Sequence, residues 1–373
     1  MRIGFDGKRA FFNGTGLGNY SRSTVRILAE QRPENEYVLF SPKAGSRVGF
    51  VPPEGVSTLL PGPFGRLLPS VWRSYGMASA IRRSGVELYH GLSHELPCDI
   101  GRAGVRSVVT MHDLIFVRRP ELYKPFDRAI YTRKYRRSCR QADRIIAISR
   151  QTRDDLIELW SIDPQKIDVV YQGCSPIFCR RVGEEQREAV RRKYDLPGEY
   201  LLSVGSIEAR KNLMLTVQAM AERRLDIRLV AVGRRTPYSD SILRYAEEKG
   251  ISDRIRFIHN AAFEDLPAIY QMSRLLVYVS FYEGFGIPIL EAFSSGIPVI
   301  TTRGGVFAET GGDAACYVDP CSVAEMGDAL DRILSDEELR QGMIARGLVH
   351  AERFSEPRIA SDLMRVYEKT LGR

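Results

Sequence analysis

Short apolar runs alternate with longer stretches of helical periodicity from one end of this chain to the other. In the first half, residues 2–6, 37–41, 87–90, 106–110, 144–148 and 166–171 read as strands. Helical patterns such as 19–31 and 126–141 lie between them. The pattern then restarts, with strands at 200–205, 227–233, 254–258, 275–280, 298–301 and 315–318. Strands and helices in regular alternation predict an α/β protein with mainly parallel sheets. Residues 172–196 combine Gly, Pro and a charged helix-like run, which places a hinge near 172–185. The expected organisation is two doubly wound, Rossmann-like domains in tandem, 1–178 and 179–355. A C-terminal helix within 356–373 is expected to pack back on the first domain. Ligands of such sheets bind beyond the carboxyl ends of the strands, so the cleft between domains is the expected site.

Composition narrows the class. A chain of 373 residues is long for one domain and natural for two, and 44% hydrophobic content supports ordinary cores. The apolar runs are strand length, far short of a membrane span. The chain opens directly on a strand, without a signal-peptide core. Six cysteines with no Cys-x-x-Cys pair read as reduced thiols in a cytoplasmic protein, with no zinc site. The net charge of +8 is unevenly spread: residues 1–181 carry 29 Lys and Arg against 17 Asp and Glu, a balance of +12. A basic half points to an anionic partner: nucleic acid, a phosphorylated substrate or an anionic membrane face.

Chemistry concentrates in the second half. Glu283 and Glu291 flank a Gly284-Phe285-Gly286 turn that leads into a short helix, signalled by Pro288 and stopped by Gly296. Open backbone amides and two acceptors at one strand end suit a ligand with phosphate and vicinal hydroxyls; a glycine-rich turn with two unrelated glutamates is the plain alternative. Upstream, the strand at 200–205 runs into Arg210-Lys211-Asn212-Leu213 just before a helix. Paired cations there disfavour the helix dipole unless an anion relieves them, and an Arg with a Lys suits a diphosphate. The alternative is a surface pair at a turn. In the first half, Gly14, Gly16 and Gly18 form a glycine loop before a helix, without the spacing of a dinucleotide fingerprint. His112 sits at the end of one strand, and His90 and His94 at the end of another; as spaced they form no recognisable metal set.

Glu283-Gly-Phe-Gly-Ile-Pro-Ile-Leu-Glu291-Ala, with Arg210-Lys211-Asn212-Leu213 upstream, resembles the signature of family 4 retaining glycosyltransferases. The resemblance runs through Gly14–Tyr20, Thr110-Met-His-Asp113, residues 142–149, Val169–Gly173, residues 309–314 and Asp319-Pro320. One local departure is Arg303-Gly-Gly-Val-Phe-Ala308 before Glu309, where relatives often carry Ser and Pro. The resemblance implies a GT-B architecture: an N-terminal acceptor domain and a C-terminal nucleotide-sugar domain around a deep cleft. It implies transfer with retention of anomeric configuration, metal-independent and with no cofactor beyond the donor substrate. Carried over by position, Arg210 and Lys211 hold the donor diphosphate, Glu291 accepts from the ribose, and Glu283 with the amides of Gly284, Phe285 and Gly286 binds the moving sugar. Leu290 lies in the same cradle, Gly16 approaches the diphosphate, and His112 sits near the sugar. The base lies near 260–263, at Ala262, through backbone contacts.

The likeness around Gly14–Tyr20 and residues 112–120 tilts the donor toward GDP-mannose over a UDP-hexose. The expected acceptor is a saccharide or polyprenyl-diphosphate-linked saccharide of bacterial surface polysaccharide or lipopolysaccharide synthesis. Residues 62–72, apolar and flanked by basic groups, add an anionic membrane surface as a partner and a peripheral location at the inner face of the plasma membrane; an internal helix is the alternative. Two other readings compete: a glycoside hydrolase or phosphorylase using Glu283 and Glu291 as an acid/base pair, and a nucleic-acid-binding protein using the basic half. The second lacks any recognition motif.

Overall fold

The computed structural model describes residues 1–373, apart from the side chain of Phe64. Contacts divide the chain into two compact units, Met1–Gln172 with Ser355–Arg373, and Gly173–Phe354.

The first unit is built on a seven-stranded sheet in the order β3-β2-β1-β4-β5-β6-β7. Its strands are β1 (Arg2–Asp6), β2 (Glu36–Phe40), β3 (Val56–Leu59), β4 (Leu88–Gly91), β5 (Arg106–Met111), β6 (Arg144–Ala147) and β7 (Ile167–Val169). Every neighbouring pair is parallel. Parallel strands need helical crossovers, which cover both faces, so the central strands read as continuous apolar runs. In β1, Ile3 and Phe5 are fully buried. The helix Pro125–Gln141 precedes β6, and the helix Gly16–Gln31 follows β1.

Six of these strands coincide with the expected ones; β3 was not expected. Val56-Ser-Thr-Leu59 is short, sits at the sheet edge and has its two middle residues exposed. Four residues with no buried face carry almost no periodic signal.

The C-terminal helix Glu356–Leu371 belongs to the first unit by its contacts. Its apolar stripe, Ile359, Leu363, Val366, Tyr367 and Thr370, recurs at helical spacing and is buried. Tyr367 reaches His90 Nδ1 at 2.8 Å, and Lys369 pairs with Asp168 at 2.9 Å.

The second unit repeats the architecture with six strands: β8 (Tyr200–Val204), β9 (Arg228–Val232), β10 (Ile255–Ile258), β11 (Leu275–Tyr278), β12 (Val299–Thr302) and β13 (Cys316–Val318). Their order is β10-β9-β8-β11-β12-β13, all parallel. All six were expected. β8 and β11 are neighbours though their crossovers run in opposite directions, which makes their junction the switch point where doubly wound sheets take ligands.

Candidate active site

The loops after β8 and β11 lie side by side at that switch point. The Phe281 N–H donates to the Arg210 carbonyl at 2.9 Å, stitching one loop to the other. After β8 a short 3-10 turn, Ala209–Lys211, ends at Asn212, which takes a left-handed conformation with φ 57°. Its buried side-chain amide explains why the strain is sustained: it donates to the Pro320 carbonyl at 2.8 Å and to the Val279 carbonyl at 3.3 Å. After β11 the chain turns at Gly286, with φ 112°, into the helix Ile287–Ser294. Only glycine adopts that backbone at little cost, and a Cβ there would lie 3.2 Å from Thr310 Oγ1.

Arg210, Lys211 and Glu283, expected from the sequence to share a site, do so. Glu283 Oε1 lies 2.8 Å from Arg210 Nη1 and 2.5 Å from Lys211 Nζ. Arg210 also donates to the Tyr282 carbonyl and pairs with Glu208, each at 2.6 Å. Lys211 donates to the Tyr278 hydroxyl at 2.9 Å. Burial pushes the Glu283 carboxyl toward neutrality, but Lys211 and Arg210 outweigh it and hold the group below the usual carboxylate range. The Arg210 guanidinium loses solvation yet gains more from Glu283, so its pKa is raised. Glu283 is therefore ionised and clamped between two cations, not poised as a free base.

Glu291 has a different environment. It lies in the helix after the turn and is half-buried, with Oε2 accepting from the Tyr270 hydroxyl at 2.6 Å. No cation offsets its desolvation, and burial raises its pKa to about 7. The rest of the expected cradle divides by exposure. Gly284 is half-buried, Phe285 packs edge-on against Phe354, and the Leu290 side chain is 1% exposed, leaving only its backbone for a ligand. Both backbone groups of Ala262 are engaged: its N–H donates to the Tyr194 hydroxyl at 3.0 Å, and its carbonyl accepts from the Asp265 N–H at 3.1 Å.

In the first unit, Gly16 is the first residue of the helix Gly16–Gln31, is exposed, and has open space where a Cβ would stand. No side chain caps that helix. His112 is buried at the end of β5, with Nε2 bonded to the Leu92 carbonyl at 2.8 Å. A carbonyl only accepts, so Nε2 carries the proton and Nδ1 is the acceptor. Burial lowers the His112 pKa to about 4. His94 Nε2 accepts from the His112 backbone N–H at 3.1 Å, and His90 bonds Thr110 and Tyr367. His94 and His112 brace each other, and His90 ties β4 to β5 and to the C-terminal helix.

Several residues escaped the sequence reading. Tyr278 and Tyr270, which hold Lys211 and Glu291, look like core residues in apolar segments. Glu208 looks like a surface acid. The signal for each was its offset from a motif: two before the Arg-Lys pair, five before Glu283, one helix upstream of Glu291.

Comparison with known proteins places these features. Residues 14–176 match the family described as Glycosyltransferase Family 4, and residues 186–349 match Glycosyl transferases group 1. The O-antigen chain mannosyltransferase B of Escherichia coli is 32% identical over 99% of this chain and 100% of that protein. The D-inositol 3-phosphate glycosyltransferase of Salinispora tropica is 30% identical over 96% of this chain and 81% of that protein. Among solved structures, Anabaena HepE in complex with UDP and glucose superposes with a TM-score of 0.75 at 17% identity, covering 99% of this chain and 100% of that one.

Proposed function

The chain belongs to the family 4, group 1 glycosyltransferases of GT-B fold, and from that premise we propose that it moves a hexose, mannose in the favoured reading, from a nucleoside-diphosphate sugar to a saccharide or lipid-linked saccharide. Membership sets aside the hydrolase and nucleic-acid readings. The mannose preference and a role in bacterial surface polysaccharide synthesis draw on the O-antigen relative, whose whole length this chain matches.

The observation that carries the reading is the Arg210–Lys211–Glu283 cluster at the β8/β11 switch point. The donor diphosphate would exchange with Glu208 for Arg210: Glu208 is 40% exposed, so that pair is weakly held, whereas the buried Glu283 stays. Arg210 turns Nη2, released from Glu208, to one phosphoryl group while Nη1 stays on Glu283 and the Tyr282 carbonyl, and Lys211 adds a point charge. As the C1–O bond to the diphosphate breaks, its electron pair goes to the departing phosphate oxygen. Fixed cations stabilise that charge more in the transition state than in the ground state. Two fixed cations can supply the charge stabilisation a divalent metal would otherwise give, which supports a metal-independent reaction. The acceptor hydroxyl adds to C1 from the face the phosphate leaves, and its proton passes to that phosphate oxygen, so configuration is retained. Glu283, with the Gly284 to Gly286 backbone, orients the sugar hydroxyls, and Glu291 accepts from the ribose. Within the first unit, the open space at Gly16 leaves its loop accessible to a phosphate, and His112 has Nδ1 as an acceptor for a hydroxyl.

A calorimetric panel of GDP-mannose, UDP-glucose and UDP-galactose tests the donor. One sugar nucleotide should bind well above the others, and Arg210→Ala/Lys211→Ala should lose it while keeping its circular dichroism. Unchanged binding in that variant would overturn the site. NMR of the product should show the donor's anomeric configuration, and turnover should survive EDTA.

A further inference from the structure

The first unit has a switch point of its own, between β1 and β4, and a cavity of about 440 Å³ opens there. Asp6 at the end of β1 and Glu95 after β4 form its floor, with Arg73 between them. Arg73 is consumed by these carboxylates: Nε donates to Asp6 at 3.0 Å and Nη1 to Glu95 at 2.8 Å. The triad is nearly buried, with side-chain exposures of 11% for Arg73, 3% for Asp6 and 19% for Glu95. It pins the segment around residue 73 to the strand ends and carries one net negative charge.

The cavity is also lined by Arg133, Lys134 and Arg137 of the helix Pro125–Gln141. None of the three has a carboxylate within ion-pair distance among the described residues. The Arg137 Nε is buried without a hydrogen-bond partner. Four lining cations against two lining carboxylates leave a surplus of two positive charges. A buried guanidinium nitrogen without an acceptor is costly, and phosphoryl oxygens supply acceptors in the geometry of the fork. A surplus of two matches a phosphate dianion or a diphosphate diester better than a single carboxylate. Ile130 of the same helix and the exposed Tyr75 at the rim offer apolar surface to the rest of such a molecule.

We propose that this cavity is the acceptor's phosphoryl subsite, so that the enzyme selects an acceptor bearing a phosphate ester or diphosphate, read by Arg133, Lys134 and Arg137. The proposal rests on the glycosyltransferase reading and assigns the acceptor class that reading leaves open.

Calorimetry on the full-length protein tests it with two probes: a hexose 1-phosphate in solution, and a short-chain prenyl diphosphate hexose in phosphatidylcholine vesicles. Each is titrated into wild type and into Arg133→Gln/Arg137→Gln, with nucleotide-sugar affinity measured in parallel. At least one probe should bind wild type and bind the variant about tenfold more weakly or worse, with nucleotide-sugar affinity unchanged. Response to the soluble probe identifies a sugar phosphate acceptor, and response only to the vesicle probe a lipid-linked one. Binding of neither probe, or equal binding to both proteins, overturns the subsite. If the double variant fails to fold, Lys134→Gln, at an exposed position, carries the same comparison. Loss of nucleotide-sugar binding in wild type would instead count against the donor site, because the probes report on the cavity independently.

Discussion

Two glutamates eight residues apart acquire opposite electrostatics from their neighbours alone. Glu283 is held ionised by two cations, and Glu291 faces only a phenol and is pushed toward neutrality. Removing the Glu283 charge leaves Arg210 and Lys211 largely buried beside one exposed acid, so Glu283→Gln should cost about 2–4 kcal/mol in urea unfolding. A loss under 0.5 kcal/mol would show the ion pairs are incidental. The contribution of Glu283 is present above its ordinary range and fades as pH falls through its lowered pKa. Glu291 has the reverse sign: its folded pKa of about 7 exceeds the ordinary 4.5, so the stability linked to its proton is full below 4.5 and lost as pH rises through 7. Glu291→Gln should therefore be nearly neutral at pH 5 and raise Tm at pH 8. In binding, a ribose contact needs the carboxylate, so nucleotide-sugar affinity should climb from pH 6 to pH 8 in wild type and stay flat in Glu291→Gln. A parallel climb in both would sever Glu291 from the ribose. The paired cations and the two glutamates were legible because charge in an apolar context stands out. Tyr270 and Tyr278 were not, because a buried phenol in a hydrophobic segment resembles any core aromatic until its hydroxyl partner is known.

At the scale of elements, the site depends on two loop-to-helix turns held in uncommon backbone conformations. Gly286 could be read as a turn glycine, but its φ of 112° and the nearness of Thr310 come only from the fold. Gly286→Ala should destabilise the second unit by about 1–3 kcal/mol and displace the start of the helix Ile287–Ser294. Nucleotide-sugar affinity should then fall by more than the stability loss explains. A fully stable variant with normal affinity would show that the turn has slack. Asn212 makes the complementary case: its side chain replaces the freedom glycine would give by bonding two carbonyls of neighbouring segments. The strands followed readily from the sequence because buried parallel strands are uniformly apolar. The exception, β3, shows the limit, since pairing along one edge can make a strand from residues that bury neither face.

At the scale of the molecule, the charge asymmetry bears on where the enzyme works. The first 181 residues carry +12, and several large apolar side chains of the same unit stand in solvent: Leu67 at 77% exposure, Leu68 at 62%, Val71 at 52% and Phe126 at 75%. The segment 62–72, read from the sequence as either lipid-facing or internal, exposes Leu67, Leu68 and Val71; the Phe64 side chain within it lies outside the described residues. No helix among the described residues is long and apolar enough to cross a membrane. Cations and apolar side chains on one unit are the combination that binds an anionic interface, where each Lys or Arg near the surface adds about 1 kcal/mol and apolar insertion adds more. The protein should float with vesicles containing phosphatidylglycerol and remain behind with pure phosphatidylcholine. Binding should weaken as salt rises, because the Debye length shrinks to about 3 Å at 1 M. Leu67→Ser/Leu68→Ser should remove the salt-resistant part and leave nucleotide-sugar affinity unchanged, because the Arg210–Lys211–Glu283 cluster lies in the other unit. Equal flotation with neutral and anionic vesicles would mean that the basic half serves the acceptor's own charge instead of the membrane's.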